Sequence, residues 1–300
     1  MVTHIADGPG CWQDGGVTTY PTAKTRWRIA LVMHPERALA RDVARQVRGF
    51  LESRGHEVVE DASLDGPNPE VFDESLDLAV ALGGDGTMLR TAHAAVAASI
   101  PVLGVNLGTL GYLTEVEPSA VVPALERILA GDYMIDERMT LDVSVEAAGI
   151  HHDLVALNDA GILKTTPPNT IRLHLSVGSS SFLSYVADGF LVSSPAGSTA
   201  YNLSLRGPIL SPKMEAIVLT PIAPHMLFDR SLVVSPDEEV GLELLADRPA
   251  ALVVDGRATI ALVPGDIVKV RAGKRPARFI TFETPDFYGI LRAKFGLTDR

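Results

Sequence analysis

The first half of the chain alternates short apolar runs with stretches in which apolar residues recur every three or four positions. Arg28-Ile29-Ala30-Leu31-Val32-Met33, Leu76-Asp77-Leu78-Ala79-Val80-Ala81-Leu82 and Ile100-Pro101-Val102-Leu103-Gly104-Val105-Asn106 read as strands. Positions 36–54 carry Leu39, Val43, Val47, Phe50 and Leu51 at helical spacing, closed by Gly55 and followed by the short strand Glu57-Val58-Val59-Glu60. Met88 to Ala97 and Ser119 to Ala130 read as two more helices. Strands alternating with helices predict a parallel sheet covered on both faces, with ligands beyond the carboxyl ends of its strands.

From Leu141 the apolar period falls to two. Leu141-Asp142-Val143-Ser144-Val145, Ile171-Arg172-Leu173-His174-Leu175 and Leu252-Val253-Val254 read as strands, and helical spacing returns only at Asp286 to Phe295. That last helix, with Phe287, Ile290, Leu291 and Phe295 on one face, is expected to pack back on the first domain. The expected fold class is therefore α/β plus all-β. A doubly wound α/β domain spans 27–140 and is completed by 276–300. A β-rich, sandwich-like domain spans 141–275, and residues 1–26 form a flexible tail.

Composition narrows the partners. Three hundred residues with 46% hydrophobic and 21% charged content suit two globular domains. A net charge of −11 argues against nucleic acid or an anionic membrane as the main partner. Cys11 is the single cysteine and cannot form an internal disulfide. No apolar stretch reaches the ~20 residues of a membrane span. The first 26 residues lack the basic start and apolar centre of a signal peptide. The cytoplasm is the expected location.

Gly83-Gly84-Asp85-Gly86-Thr87 lies where a strand passes into a helix. Glycines let backbone N–H groups approach a ligand closely, and the helix N-terminus favours phosphate. Asp85 would repel phosphate unless it holds a metal ion or takes a proton, and phosphoryl transfer needs both jobs done. The same five residues also make an ordinary turn. Asn106-Leu107-Gly108-Thr109-Leu110-Gly111-Tyr112 is a second glycine turn, either a further phosphate contact or a plain connector.

The run from Asp188 to Ser204, Asp188-Gly189-Phe190-Leu191-Val192-Ser193-Ser194-Pro195-Ala196-Gly197-Ser198-Thr199-Ala200-Tyr201-Asn202-Leu203-Ser204, adds to this turn and to the pair Asn158-Asp159. Together with Gly104-Val105-Asn106, Gly207-Pro208-Ile209, Pro224-His225 and Asp255-Gly256, these motifs resemble the NAD kinases from Trp27 onward. The resemblance implies transfer of a phosphoryl group to the adenosine-ribose 2′-hydroxyl of NAD, giving NADP. The donor would be ATP or polyphosphate, with a divalent metal, Mg²⁺, whose protein ligands are not assigned. By the same resemblance Asp85 is the base. Asp85, Gly86, Arg90, Asn158, Asp159, Asp188, Ala196, Thr199, Ala200, Tyr201, Asn202, Leu203 and Ser204 contact NAD, while Gly83, Gly84, Gly86 and Thr87 hold the phosphate donor. A homo-oligomer, dimer or tetramer, is expected.

Residue chemistry agrees with that assignment. Ser198, Thr199 and Tyr201 supply hydroxyls and a ring suited to a base and its ribose. Asn158 and Asp159 can accept from hydroxyl or amide groups, and Arg90 can answer a pyrophosphate. The chain departs from the family pattern in having Asp159 for Glu, Ala196 for Thr, and Leu205-Arg206 for Ala-Gly. Arg206 could close part of the site, contact phosphate, or face solvent.

Other chemistries are weaker. His151-His152-Asp153 has no Cys/His partner at zinc-ligand spacing, and adjacent strand residues point to opposite faces. The chain has no P-loop and no dinucleotide fingerprint of the Gly-x-Gly-x-x-Gly kind. A lipid or sphingoid kinase shares the glycine turn but would need an apolar acceptor channel. A non-catalytic NAD-binding sensor would have no use for Asp85.

Overall fold

A computed structural model of the chain describes residues 24–34, 36–62, 71–73, 75–108, 111–113, 116–166, 169–245 and 248–297. Most of the expected tail, Cys11, and positions 109 and 110 of the second glycine turn lie outside the described residues. The first region runs β1 (Arg28–Met33), α1 (Ala38–Glu52), β2 (Glu57–Asp61), β3 (Leu78–Gly83), α2 (Asp85–Ala98), β4 (Val102–Asn106), α3 (Val121–Leu129) and β5 (Met134–Arg138). The second runs β6 (Leu141–Ala147), β7 (Ile150–Ala156), β8 (Asp159–Lys164), β9 (Ile171–Val177), β10 (Ser180–Ala187) and β11 (Gly189–Ser193). It continues through α4 (Tyr201–Ser204), β12 (Ile217–Ile222), β13 (Leu232–Val234), β14 (Val240–Leu244), β15 (Ala250–Val254), β16 (Arg257–Leu262) and β17 (Ile267–Ala272). β18 (Ala277–Thr281) and α5 (Phe287–Phe295) close the described chain.

The first sheet has the order β2-β1-β3-β4-β18-β5, with β2, β1, β3, β4 and β18 parallel and β5 antiparallel at the edge. All six residues of β3 are buried, as a strand covered on both faces requires. One face packs on α1 and α3 through Val43, Val47, Leu125 and Ile128, and the other on α2 through Met88, Ala92 and Ala95. The segment 276–300 returns to this domain as expected, but it brings a strand, β18, as well as the helix that its spacing shows.

Two details differ from the periodicity. In α1 the buried stripe is Ala40, Val43, Ala44, Val47 and Leu51, while Leu39 is 51% exposed. The helix starts only at Ala38 and turns its alanines inward, where small side chains permit close approach to the sheet. In α5 Phe295, expected on the packed face, is 49% exposed, whereas Phe287 and Ile290 are half-buried.

The β-rich region is two six-stranded sheets, ordered β10-β9-β14-β17-β6-β7 and β13-β12-β11-β8-β15-β16. Their inner faces share one core, with Leu173, Leu175 and Leu242 against Ile162, Phe190 and Leu219. The Tyr185 and Phe190 rings meet at 5.0 Å within it. This is the expected sandwich.

Strand register sets the site. Gly83 pairs with Asn106, so both glycine turns leave the first sheet at the same carboxyl end. In the other domain Ser193 pairs with Asp159 and Ala160 with Val254, which gathers Asn158, Ser194 and Asp255 at one end of their sheet.

Candidate active site between the two domains

Gly83, Gly84 and Gly86 all avoid positive φ, so their role is room and not backbone handedness. A Cβ on Gly83 would lie 2.2 Å from Thr87 Oγ1, which explains that glycine by packing. A Cβ on Gly84 or Gly86 would meet nothing within 4 Å. The fold makes no demand for glycine at those two positions; open space beside the first turn of α2 does. Backbone N–H groups of a first helical turn have no carbonyl partner within the helix. A helix N-terminus with such open space is chemically suited to an anion.

Asp85 opens α2 and is tied to the second glycine turn. Its carboxylate accepts from Tyr112 N–H at 3.1 Å and from Leu113 N–H at 3.3 Å. Lys294 of α5 brings its ammonium to 3.8 Å from the same carboxylate and 4.1 Å over the Tyr112 ring. The Tyr112 phenol is pushed above its ordinary pKa by burial first and by the Asp85 charge second. Beside Asp85 a cleft runs between Tyr112 and Leu113 of the first domain, Ala196 and Thr199 of the second, and Phe287 and Ile290 of α5.

The Asn158-Asp159 pair is built on Asp255. The β15–β16 hairpin turns through Asp255 and Gly256, both at positive φ (48° and 76°), a two-residue turn that Asp-Gly suits. The Asp255 side chain is 2% exposed. It accepts from the backbone N–H groups of Leu157 at 2.8 Å, Asn158 at 2.7 Å and Asp159 at 2.9 Å. His93 Nε2, from α2, donates to it as well. The Asn158 carbonyl accepts from Ser194 N–H at 2.8 Å, and a Cβ on Gly197 would lie 2.0 Å from that oxygen. Gly197 is therefore needed for the two loops to meet.

Asp159 is buried next to Asp255. Burial first, and the Asp255 charge second, push its pKa up to about 7. Arg90, on α2, is held below its ordinary pKa by burial and by the neighbouring charge of Arg257, with Asp61 acting in the opposite direction. Two guanidiniums thus share one neighbourhood near the end of β2.

Asp85 is hydrogen-bonded to Tyr112 and Leu113, which line the cleft with Ala196 and Thr199, and Asn158 and Asp159 are hydrogen-bonded to Asp255 beside α2, whereas three other residues are placed differently. Asn202 is fully buried, with its amide donating to the carbonyls of Ser198 and Pro208 and accepting from Thr220. Ser198 is buried too, its hydroxyl accepting from Leu210 N–H at 3.0 Å. Their side-chain polar groups hold the loop together. Asp188 pairs with Lys164 at 2.6 Å, at the opposite end of β11 from Ser193. Five residues of strand put it roughly 16 Å from Ser193.

Tyr201 is 40% exposed and Ser204 is exposed, with Ala200 and Leu203 half-buried. Arg206 is exposed and takes φ +62°, immediately after α4. His93, Arg257, Lys294 and the Tyr112–Leu113 amides have no role assigned from the sequence, and Asp255 stands there only as part of the Asp255-Gly256 motif. Among the described residues no three His, Cys, Asp or Glu gather as a metal site, and His151 instead contacts Glu146 and Asp153 on the surface.

Residues 67–133 match the ATP-NAD kinase N-terminal domain and residues 157–282 the ATP-NAD kinase C-terminal domain. The chain is 44% identical over 275 residues to the NAD kinase of Heliobacterium modesticaldum, covering 89% of this chain and 97% of that one. It is 39% identical over 277 residues to the NAD kinase of Moorella thermoacetica, covering 89% and 88%. Among solved structures it resembles an NAD kinase from Archaeoglobus fulgidus in complex with ATP, with TM-score 0.71, 26% identity, and coverage of 89% and 99%. The fold of yeast NADH kinase complexed with NADH matches with TM-score 0.83 at 21% identity, covering 92% and 89%.

Proposed function

The chain belongs to the NAD kinase family and phosphorylates NAD, and we propose that it does so in the interdomain cleft with Asp85 as the base. The observation that carries this reading is the pair Gly84 and Gly86, whose missing side chains leave open space at a helix N-terminus and answer no packing demand of the fold. Donor phosphates fill that space, held by first-turn amides, while Arg90, beside Arg257, answers the dinucleotide pyrophosphate. Asp85 accepts the proton of the adenosine-ribose 2′-hydroxyl, and the hydroxyl oxygen attacks the terminal phosphorus while the donor departs as ADP. Tyr112 and Leu113 amides fix the carboxylate for that task. Asn158 and Asp159, with Ala196 and Thr199, hold the dinucleotide against it. Positioning and electrostatics supply most of the acceleration.

A divalent cation, Mg²⁺, belongs to the same proposal. The residues fit an ion carried on donor phosphates: one carboxylate, Asp85, with no three-ligand protein cage among the described residues. When bound, such an ion neutralises charge on the transferring group. Polyphosphate would suit the cradle as ATP does, because the cradle reads phosphate oxygens.

Assembly into a homo-oligomer and a cytoplasmic location complete the reading. Leu227 is fully exposed and Phe228, next to it in the chain, is also at the surface, an apolar pair suited to a second copy. Light scattering tests the assembly. Incubation with NAD, Mg²⁺ and either ATP or polyphosphate, read as NADP formed, tests the chemistry. Absence of NADP with every donor would overturn it.

A further inference from the structure

The structure assigns a task to His93, a residue outside every motif of the reaction. His93 follows Asp85 by eight residues on α2, which is just over two turns, so the two side chains leave the helix within about a quarter turn of each other. Its ring donates to Asp255, and Asp255 takes the amides of Leu157, Asn158 and Asp159. One carboxylate therefore joins the helix that carries the base to the loop that holds the acceptor. The Asp255 side chain is almost wholly buried, so water cannot substitute for a lost donor at low cost.

We propose that His93 is a positioning residue, acting through Asp255 to fix the Asn158-Asp159 loop at the correct distance from Asp85. This rests on the reading that Asp85 is the base and Asn158-Asp159 the dinucleotide clamp. Phosphoryl transfer is sensitive to such a link, because a displacement of about 1 Å between reacting groups can lower rate by about 10²-fold. Phosphate donor binding depends on the Gly84–Gly86 turn at the start of the helix, about two turns before His93, and does not pass through Asp255.

The test is steady-state kinetics of His93→Leu, His93→Gln and Asp255→Asn with NAD and ATP·Mg²⁺, together with thermal midpoints. In His93→Leu, kcat should fall by roughly 10- to 100-fold and the NAD KM should rise several-fold, with the ATP KM within about twofold of wild type. His93→Gln keeps an N–H donor at similar reach and should recover most of the loss. Should His93→Leu fail to fold, Asp255→Asn carries the same split, raising the NAD KM and sparing ATP. Wild-type kcat and NAD KM in His93→Leu would overturn the proposal. So would an equal rise of both KM values with a fallen midpoint, the mark of a merely structural contact. Asp85→Asn, assayed in parallel by calorimetric NAD binding, separates the two readings. Full turnover in that variant would remove the base assignment, while the His93 effect would still be read in NAD affinity.

Discussion

Lys294 Nζ stands 3.8 Å from Asp85 Oδ2, setting the last turn of α5 against the first turn of α2. The ammonium also lies over the Tyr112 ring, so it is held from two sides. A phosphoryl donor entering the cradle adds negative charge beside an existing carboxylate, and Lys294 is positioned to offset it. Lys294→Met should reduce kcat by roughly 10- to 100-fold, somewhat less than loss of a dedicated oxyanion donor. Lys294→Arg should retain most activity. Unchanged turnover in the Met variant would reduce Lys294 to a packing partner of Tyr112.

Asp85→Asn separates charge from shape. An amide oxygen can still accept from Tyr112 and Leu113, so the turn should keep its form. Turnover should fall by about 10²- to 10⁴-fold, the usual contribution of a general base. Circular dichroism and melting should stay close to wild type. A variant within tenfold of wild-type kcat would assign the proton to another group.

Asp159 sets a pH dependence whose sign is fixed by its environment. Its folded pKa, about 7, lies above the ordinary carboxylate value near 4. The folded state therefore keeps a proton that the unfolded chain has released. Its stabilising contribution is complete below about pH 4 and is lost as pH rises through about 7, leaving a desolvated charge above that. Asp159→Asn should flatten stability between those limits. It should gain up to a few kcal/mol over wild type at pH 8, read by urea unfolding at fixed pH values. Parallel pH curves for the two proteins would show that Asp159 is ionised throughout.

Legibility in the sequence followed the range of the interaction. The strand at Arg28–Met33 and the turn at Gly83–Thr87 are local, and both stand at the expected positions. The insertion of β18 between β4 and β5 joins segments about 140 residues apart; 276–300 was expected to complete this domain, but through its helix, and periodicity does not show the strand. The same holds within the site. Asn158 and Asp159 were visible as side chains, but the carboxylate that shapes their loop comes from a hairpin nearly 100 residues on. Asn202 and Ser198 belong to the right loop, yet a sequence cannot say which polar groups that loop turns inward. Asp188 precedes the same strand that ends at Ser193, and its pairing with Lys164 is another long-range contact that the sequence does not announce.

Arg206 follows α4 with φ +62°, a left-handed conformation that costs an L-residue roughly 1–2 kcal/mol and glycine almost nothing. The surrounding turn demands it. Arg206 N–H reaches the Leu203 carbonyl at 3.0 Å, and Gly207 N–H reaches the Asn202 carbonyl at 2.9 Å, closing the helix. The departure from Ala-Gly to Leu205-Arg206 therefore carries a backbone strain, with the guanidinium exposed to solvent. Arg206→Gly should stabilise the chain by about 1 kcal/mol, a rise of a few degrees at most in the thermal midpoint for a protein of this size. Arg206→Ala removes the same charge and keeps the strain, so it should melt with wild type. If the guanidinium also met a dinucleotide phosphate, both variants would bind NAD more weakly, by an amount that shrinks with salt. The expected result is equal NAD affinity in all three proteins at low and high salt, with only the glycine variant raised in stability. A salt-dependent loss of NAD affinity shared by both variants would instead make Arg206 part of the site.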